Sequence, residues 1–193
     1  MSARLFVVSG PSGVGKGTLI AGALAALPNL VVATSATTRP PRPGEHDGVE
    51  YHFLSPEDFQ RRADAGEFLE HVTYAGNRYG TLRSEVDRRL QNGQSVVLEI
   101  EVVGAKEIKR QRPDAVTIFV APPSVADLER RLEGRNTDPP EVIQERLKIA
   151  RGELEAQSQF DHVIINSTVS IAAAQLTALM RAETGEQVQE EAS

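Results

Sequence analysis

The sequence predicts an α/β fold: a parallel β-sheet with helices on both faces, a small strand-rich insertion and a helical lid. Three observations carry this expectation. The apolar run Leu5-Phe6-Val7-Val8 leads directly into a glycine-rich turn and then an Ala/Leu-rich helix that stops near Pro28. Further apolar runs at 95–101, 115–120 and 160–166 alternate with helical patterns, the signature of parallel strands joined by crossover helices. Between residues 35 and 81 that alternation gives way to short strands with many polar and aromatic residues.

The first unit is the most informative. A run of four apolar residues suits a strand buried on both faces. The turn that follows is Gly10-Pro11-Ser12-Gly13-Val14-Gly15-Lys16-Gly17-Thr18. Its glycines allow the backbone to curl its amides inward as an anion nest at a helix N-terminus, where the dipole favours phosphate. Lys16 is placed to reach terminal phosphates as a mobile point charge. This is a P-loop, and the sheet it opens is of the P-loop NTPase type. Gly17 stands where the pattern asks for Ser or Thr, so a direct hydroxyl ligand for Mg²⁺ is missing there. Thr18 is the candidate substitute, with the ion held mainly through phosphates and water.

Leu30-Val31-Val32-Ala33 reads as a short second strand. In 35–45, three prolines bar a regular helix and hold the chain extended, with Arg39 and Arg42 three residues apart. On the residues alone two readings stand: a phosphate-binding arginine pair, for which the guanidinium fork is suited, or a solvated loop. Tyr51–Leu54 is a predicted strand, Ser55 caps a helix over Pro56–Ala65 that ends at Gly66, and Phe68–Tyr74 alternates as a strand should. A turn at 75–78 leads to Tyr79-Gly80-Thr81.

The remaining elements follow by the same rules. Leu82–Gln91 is a predicted helix with Leu82, Val86 and Leu90 on one face. Ser95–Glu101 is a strand ending in two carboxylates, where a doubly wound fold keeps its ligand chemistry. A short helix over Ala105–Gln111 precedes a strand over Ala115–Val120. Ser124 caps the next helix, the loop 137–140 follows, and a long helix spans about Glu141–Gln157. A strand at 160–166 and a helix over about Ile171–Ala182, capped by Ser170, complete the domain. The tail at 183–193 holds four glutamates and no basic residue and is expected to fray.

Composition narrows the function. A length of 193 residues fits one domain, 40% hydrophobic residues build a normal core, and a net charge of −6 argues against a general nucleic-acid binder. Without cysteine there are no disulfides and no thiolate chemistry. No apolar run approaches the roughly 20 residues of a spanning helix, and the N-terminus has no signal-peptide layout. The expectation is a cytoplasmic enzyme, a monomer or homodimer, with no nucleic-acid or membrane partner. Phosphoryl transfer between phosphates needs positioning and cations rather than a dedicated nucleophile. Lys16, Arg39, Arg42, Arg135 and Arg146 supply those cations.

Gly-Pro-Ser-Gly-x-Gly-Lys at 10–16, Ser-x-Thr-Thr-Arg-x-x-Arg-x-Gly-Glu at 35–45, Tyr51-x-Phe53, Glu70, Tyr79-Gly80-Thr81 and Arg-Leu-Glu-Gly-Arg at 131–135 occur in this order. Over residues 4–182 the chain resembles the bacterial guanylate kinases, and the 35–45 signature is far more specific than the P-loop. The resemblance implies a domain over 1–182, with a core (1–34, 82–124, 151–182), a GMP-binding insertion (35–81) and a lid (125–150). It implies transfer of the γ-phosphoryl group of ATP to GMP and dGMP, with Mg²⁺, in purine nucleotide metabolism. By position it places Lys16, Arg39, Arg135 and Arg146 in catalysis. ATP falls to Gly10–Thr18 (Gly10, Pro11, Ser12, Gly13, Val14, Gly15, Lys16, Gly17, Thr18) and Asn166. Ser35, Arg39, Arg42, Tyr51 and Tyr79 fall to the GMP phosphate, and Glu70, Thr81 and Glu101 to guanine.

Guanine presents donors at N1 and N2 that one carboxylate accepts together, whereas adenine would leave Glu70 unpaired. Without the resemblance Glu70 reads rather as a solvated strand residue, and Asn166 equally as an ordinary loop residue. The family strand end commonly reads Glu-x-Asp followed by Trp/Met-Gln-Gly; here it is Glu99-Ile100-Glu101-Val102-Val103-Gly104. The alternatives are a ribose 1,5-bisphosphate kinase of the same fold and a non-catalytic guanylate-kinase-like interaction module. The first has no need of a base-reading set, and the second usually lacks the P-loop lysine.

Overall fold

The computed structural model describes residues 2–74, 76–133 and 140–185. Its centre is β1 (Leu5–Ser9), in which every residue is buried. Successive side chains of a strand point to opposite faces. Accordingly Phe6 and Val8 pack with Leu19, Ile20, Leu176 and Met180 on one side, while Leu5 and Val7 pack with Val86, Ala105 and Ile108 on the other. A strand with two buried faces needs a parallel sheet covered on both sides.

In chain order, β1 is followed by α1 (Lys16–Ala26), β2 (Leu30–Val32), β3 (Ala36–Thr37), β4 (His52–Phe53), α2 (Pro56–Asp64), β5 (Phe68–Tyr74) and β6 (Asn77–Leu82). Next come α3 (Arg83–Gln91), β7 (Ser95–Glu99), α4 (Val102–Gln111) and β8 (Val116–Ala121). Two helices, α5 (Val125–Glu133) and α6 (Pro140–Glu155), lead through a short 3₁₀ turn (Ala156–Gln159) to β9 (His162–Ile165) and α7 (Val169–Thr184). The main sheet has the order β2-β7-β1-β8-β9, and all its pairings are parallel. A second sheet, β4-β3-β6-β5, is mixed and packs Phe59 of α2 against Phe68, ring centroids 4.4 Å apart. Ser55 caps α2, its hydroxyl accepting from the Asp58 amide.

Several boundaries differ from the sequence expectations. β7 stops at Glu99 because its ladder with β1 ends at the pair Val8↔Glu99. Glu101 then takes extended backbone angles at the N-cap position of α4, which starts at Val102 rather than Ala105. Leu82 belongs to β6, paired with Phe68, so α3 begins one residue later. The helix expected over 141–157 ends at Glu155 in the 3₁₀ turn. The last strand is only His162–Ile165, and Phe160 instead packs edge-on against Phe119 at 5.2 Å. Ser170 lies inside α7; Thr168 holds the N-cap position, with the Ala172 amide donating to its carbonyl. The loop at 137–139, the acidic tail beyond residue 185 and Ala75 of the expected turn lie outside the described residues.

Leu176 is fully buried where α7 meets α1 and the sheet. Leu176→Ala is expected to lower unfolding free energy by about 2–5 kcal/mol, measured by urea denaturation. A loss well under that range would mean that α7 is not part of the core.

Candidate active site

The P-loop leaves the C-terminal end of β1, the crevice in which open α/β sheets hold ligands. Two glycines are forced by space as well as angle. Gly10 has φ +139°, and a Cβ there would lie 2.2 Å from the Val120 carbonyl oxygen. Gly15 has φ +98°, and its Cβ would meet Asn166 Nδ2 at 2.8 Å. The loop is therefore pressed against β8 from one side and against the turn after β9 from beneath.

That contact is made of hydrogen bonds. Asn166, fully buried, donates from Nδ2 to the Val14 carbonyl at 2.8 Å. Arg131 on α5 donates to the same carbonyl at 3.2 Å and to the Asn166 carbonyl at 2.7 Å. Asn166 thus lies under the loop and shapes it. Arg131 was part of the sequence signature at 131–135, but nothing in its spacing announced this tie. Lys16 is almost buried, and its ammonium donates to the Gly10 carbonyl at 2.6 Å and the Pro11 carbonyl at 3.3 Å. Arg146 on α6 donates to Ser12 Oγ at 2.6 Å, which brings that helix onto the loop. Arg135 lies outside the described residues.

A cavity of about 600 Å³ opens above the loop, lined by Ser12, Lys16, Thr18, Tyr51, Glu99 and Glu101 among others. That is within the range of small-ligand sites. Thr18 is exposed into it. A Cβ at Gly17 would stand 3.3 Å from Glu99 Oε2, so the end of β7 brings a carboxylate beside the position that lacks the hydroxyl.

The insertion contributes Tyr51 to this cavity. Glu70 on β5 accepts from the Thr81 hydroxyl on β6 at 2.8 Å, across the hairpin. Burial raises the Glu70 pKa above its ordinary value, and the bonds from Thr81 partly oppose this. Gly104 of α4 allows the approach, since a Cβ there would be 3.3 Å from Glu70 Oε2. Tyr51 and Tyr79 stand edge to face at 6.1 Å, and Arg39 lies 5.4 Å from the Tyr51 ring centroid. Arg39 donates to Glu45 Oε1 and the Arg42 amide to Glu45 Oε2, which holds the Glu45 carboxyl below its ordinary range. Arg42 itself is exposed. Ser35 is half-buried at the foot of β3, its carbonyl accepting from the His52 amide.

A further acid, which the sequence motifs do not include, stands near the site. Glu153 is half-buried on α6, within range of the Glu101 charge. Burial, then the charge of Glu101, push its pKa up to about 7, while Lys16 pulls the other way. The available signal was its spacing of seven from Arg146, which places both on one helix face.

A P-loop at the C-terminal end of β1 in a parallel sheet covered on both faces is the architecture of a P-loop NTPase. Comparison with known proteins gives the family. The family model for guanylate kinase matches residues 2–183. A guanylate kinase of Frankia casuarinae is 53% identical over 176 residues, 91% of this chain and 96% of its own length. One from Thermobifida fusca is 49% identical over 179 residues, covering 93% and 91%. The crystal structure of guanylate kinase from Anaplasma phagocytophilum superposes with a TM-score of 0.70 at 32% identity, covering 95% of this chain and 87% of that one. The chain belongs to the guanylate kinase family.

The Thr81 hydroxyl bond favours the charged form of Glu70. Thr81→Val, nearly isosteric, is expected to move the Glu70 titration further upward, followed by carboxyl-carbon NMR. An unmoved titration would mean that this hydroxyl does not act on Glu70.

Proposed function

We propose that the protein transfers the γ-phosphoryl group of ATP to GMP, giving ADP and GDP. What supports this reading is a P-loop cavity lined by Lys16, Tyr51 and Glu101, with the Glu70–Thr81 pair on the insertion hairpin, in a chain of this family. A phosphate oxygen of GMP attacks the γ-phosphorus, the bond to the β-bridging oxygen breaks, and ADP leaves with the electron pair. The acceptor is already a nucleophile, so the protein's task is to align the two phosphates, neutralise charge and exclude water.

Lys16 would exchange its bonds to the Gly10 and Pro11 carbonyls for phosphate oxygens. The loop amides of Gly10–Thr18 would hold the donor's phosphates, with Asn166 shaping that loop from below. Arg146, already at Ser12, would follow the transferring group, and Arg135 would share that role. Ser35, Arg39, Arg42, Tyr51 and Tyr79 would take the GMP phosphate, Arg39 giving up or sharing Glu45 to do so. Glu70 would accept from guanine N1 and N2, with Thr81 and Glu101 completing the edge. Adenine would leave Glu70 unpaired, which costs about 1–3 kcal/mol or more for a charged group. A base-free acceptor such as ribose 1,5-bisphosphate would have no use for that carboxylate.

The donor set fits a cation that arrives with the nucleotide. Gly17 has no hydroxyl, and no cluster of three or more acidic or imidazole ligands exists among the described residues. Mg²⁺ would be held by phosphate oxygens and water, with the Thr18 hydroxyl as the protein's contribution. When bound it neutralises charge on the β- and γ-phosphates. The same reading includes dGMP as acceptor, a cytoplasmic location and a place in purine nucleotide metabolism.

A coupled assay of ADP release, with ATP, Mg²⁺ and each nucleoside monophosphate in turn, is expected to give turnover with GMP and dGMP only. Turnover with AMP at a similar rate would overturn the role of Glu70. Lys16→Ala is expected to lower kcat by about 10²–10³ with GMP still bound by calorimetry; retained turnover would remove Lys16 from the chemistry. Glu70→Ala is expected to raise the GMP KM by about tenfold or more and leave ATP affinity unchanged. Equal damage to both substrates would make Glu70 structural.

A further inference from the structure

The hairpin that carries Glu70 is not regular. Along β5 and β6 the pairs run Phe68↔Leu82, then Glu70↔Thr81 and His71↔Gly80, so Leu69 is an extra residue with no partner on β6. A β-bulge of this kind re-aims the side chains beside it. An unbroken ladder from Phe68↔Leu82 would set Glu70 opposite Gly80, which has no side chain to offer. The bulge moves it opposite Thr81, whose hydroxyl donates to Glu70 Oε1 at 2.8 Å.

Its second effect is on direction. Neighbouring residues of a regular strand face opposite ways. Here Leu69 and Glu70 both meet α4. Leu69 is fully buried in the cluster that holds Ala105 and Ile108, and a Cβ at Gly104 would come within 3.3 Å of Glu70 Oε2. Phe68, one residue earlier, packs instead with Phe59 and Leu82 of the insertion.

A bulge leaves backbone groups off the ladder, and they need other partners. Gln111, the last residue of α4, supplies one: its Nε2 donates to the Leu69 carbonyl at 3.1 Å. Nε2 donates also to Glu107 Oε1 at 2.6 Å. Oε1 accepts at 2.6 Å from Arg83, whose guanidinium reaches the Phe68 carbonyl at 3.3 Å as well. Two acceptors on one side and a guanidinium on the other leave the Gln111 amide one orientation. On the far side, a Cβ at Gly80 would stand 2.9 Å from the Glu70 carbonyl oxygen. The bulge is thus fastened from α4 and given room by a glycine on β6. The phosphoryl transfer described above makes no use of Gln111.

We propose that Gln111 is a positioning residue for base selection: by fastening the Leu69 bulge it aims the Glu70 carboxylate at the acceptor base. The inference rests on the reading of Glu70 as the acceptor for guanine N1 and N2. One carboxylate takes both donors only when its two oxygens lie along that edge. Hydrogen bonds weaken steeply with misalignment, so a slip of the bulge keeps one bond and loses the other.

The test uses GMP and inosine monophosphate (IMP), which differ only in the N2 amino group. Binding of each is measured by calorimetry, IMP by displacement, for the wild type, Gln111→Met and Gln111→Glu. Both substitutions keep the length of the side chain. Met removes every bond of the amide, whereas Glu keeps the acceptor toward Arg83 and loses the donor to Leu69. The wild type is expected to prefer GMP about tenfold or more. In both variants that preference is expected to fall severalfold, with ATP affinity within about twofold. In ligand-free protein the NMR proximity signal between the Thr81 methyl and the Glu70 side chain should weaken in parallel. An unchanged preference in either variant overturns the role of the Gln111 donor. A lowered preference with the Thr81–Glu70 signal intact overturns the route through the bulge. Equal loss of GMP, IMP and ATP binding makes Gln111 a structural residue instead. A wild type that binds GMP and IMP alike removes Glu70 from base reading, and the aiming role falls with that reading.

Discussion

Two donors converge on one carbonyl oxygen, that of Val14, and the shape of the phosphate loop depends on them. A loop that turns its amides toward a ligand must point its carbonyls the other way, into protein. Those carbonyls are buried acceptors and need partners. Asn166, from the turn after the edge strand, and Arg131, from α5, supply them for Val14. Because Asn166 Nδ2 occupies the space where a Cβ at Gly15 would stand, the glycine and the asparagine fix each other. The phosphate cradle is thus held by the far end of the domain, more than 100 residues away in sequence.

The same economy ties α5 and α6 to the core. Arg131 touches the underside of the loop and Arg146 its rim. One contact sets a guanidinium on backbone carbonyls, the other a guanidinium on a hydroxyl. The loop that would cradle a nucleotide's phosphates is thus the loop on which both helices rest.

Much of this was legible in the sequence because the signals were local. The run Leu5–Val8 before a glycine-rich turn specifies strand, loop and helix by burial and backbone freedom alone. The 35–45 signature and Glu70 identified the acceptor side only through the family resemblance; the residues by themselves allowed a solvated loop and a solvated strand. What stayed hidden was set by partners distant in the chain. The end of β7 is decided by where β1 stops offering a ladder, which sequence windows cannot see. Ser170 looked like a cap, but the short β9 lets the chain turn early, and Thr168 takes that place. Arg131 and Glu153 read as ordinary charged helix positions until the fold set Arg131 against Val14 and Glu153 within range of the Glu101 charge.

The Arg39–Glu45 ion pair has a consequence for which anions can enter. Glu45 binds the Arg39 guanidinium and the Arg42 amide with its two oxygens, as an incoming phosphate group would. It is a tethered rival at high effective concentration. An anion of single charge gains little by replacing one carboxylate with another. A dianionic phosphate brings more charge and a third oxygen, and can displace or share the site. Should the arginine loop take the acceptor's phosphate as proposed, Glu45 would set a threshold there that a dianionic phosphate monoester passes more readily than a singly charged carboxylate.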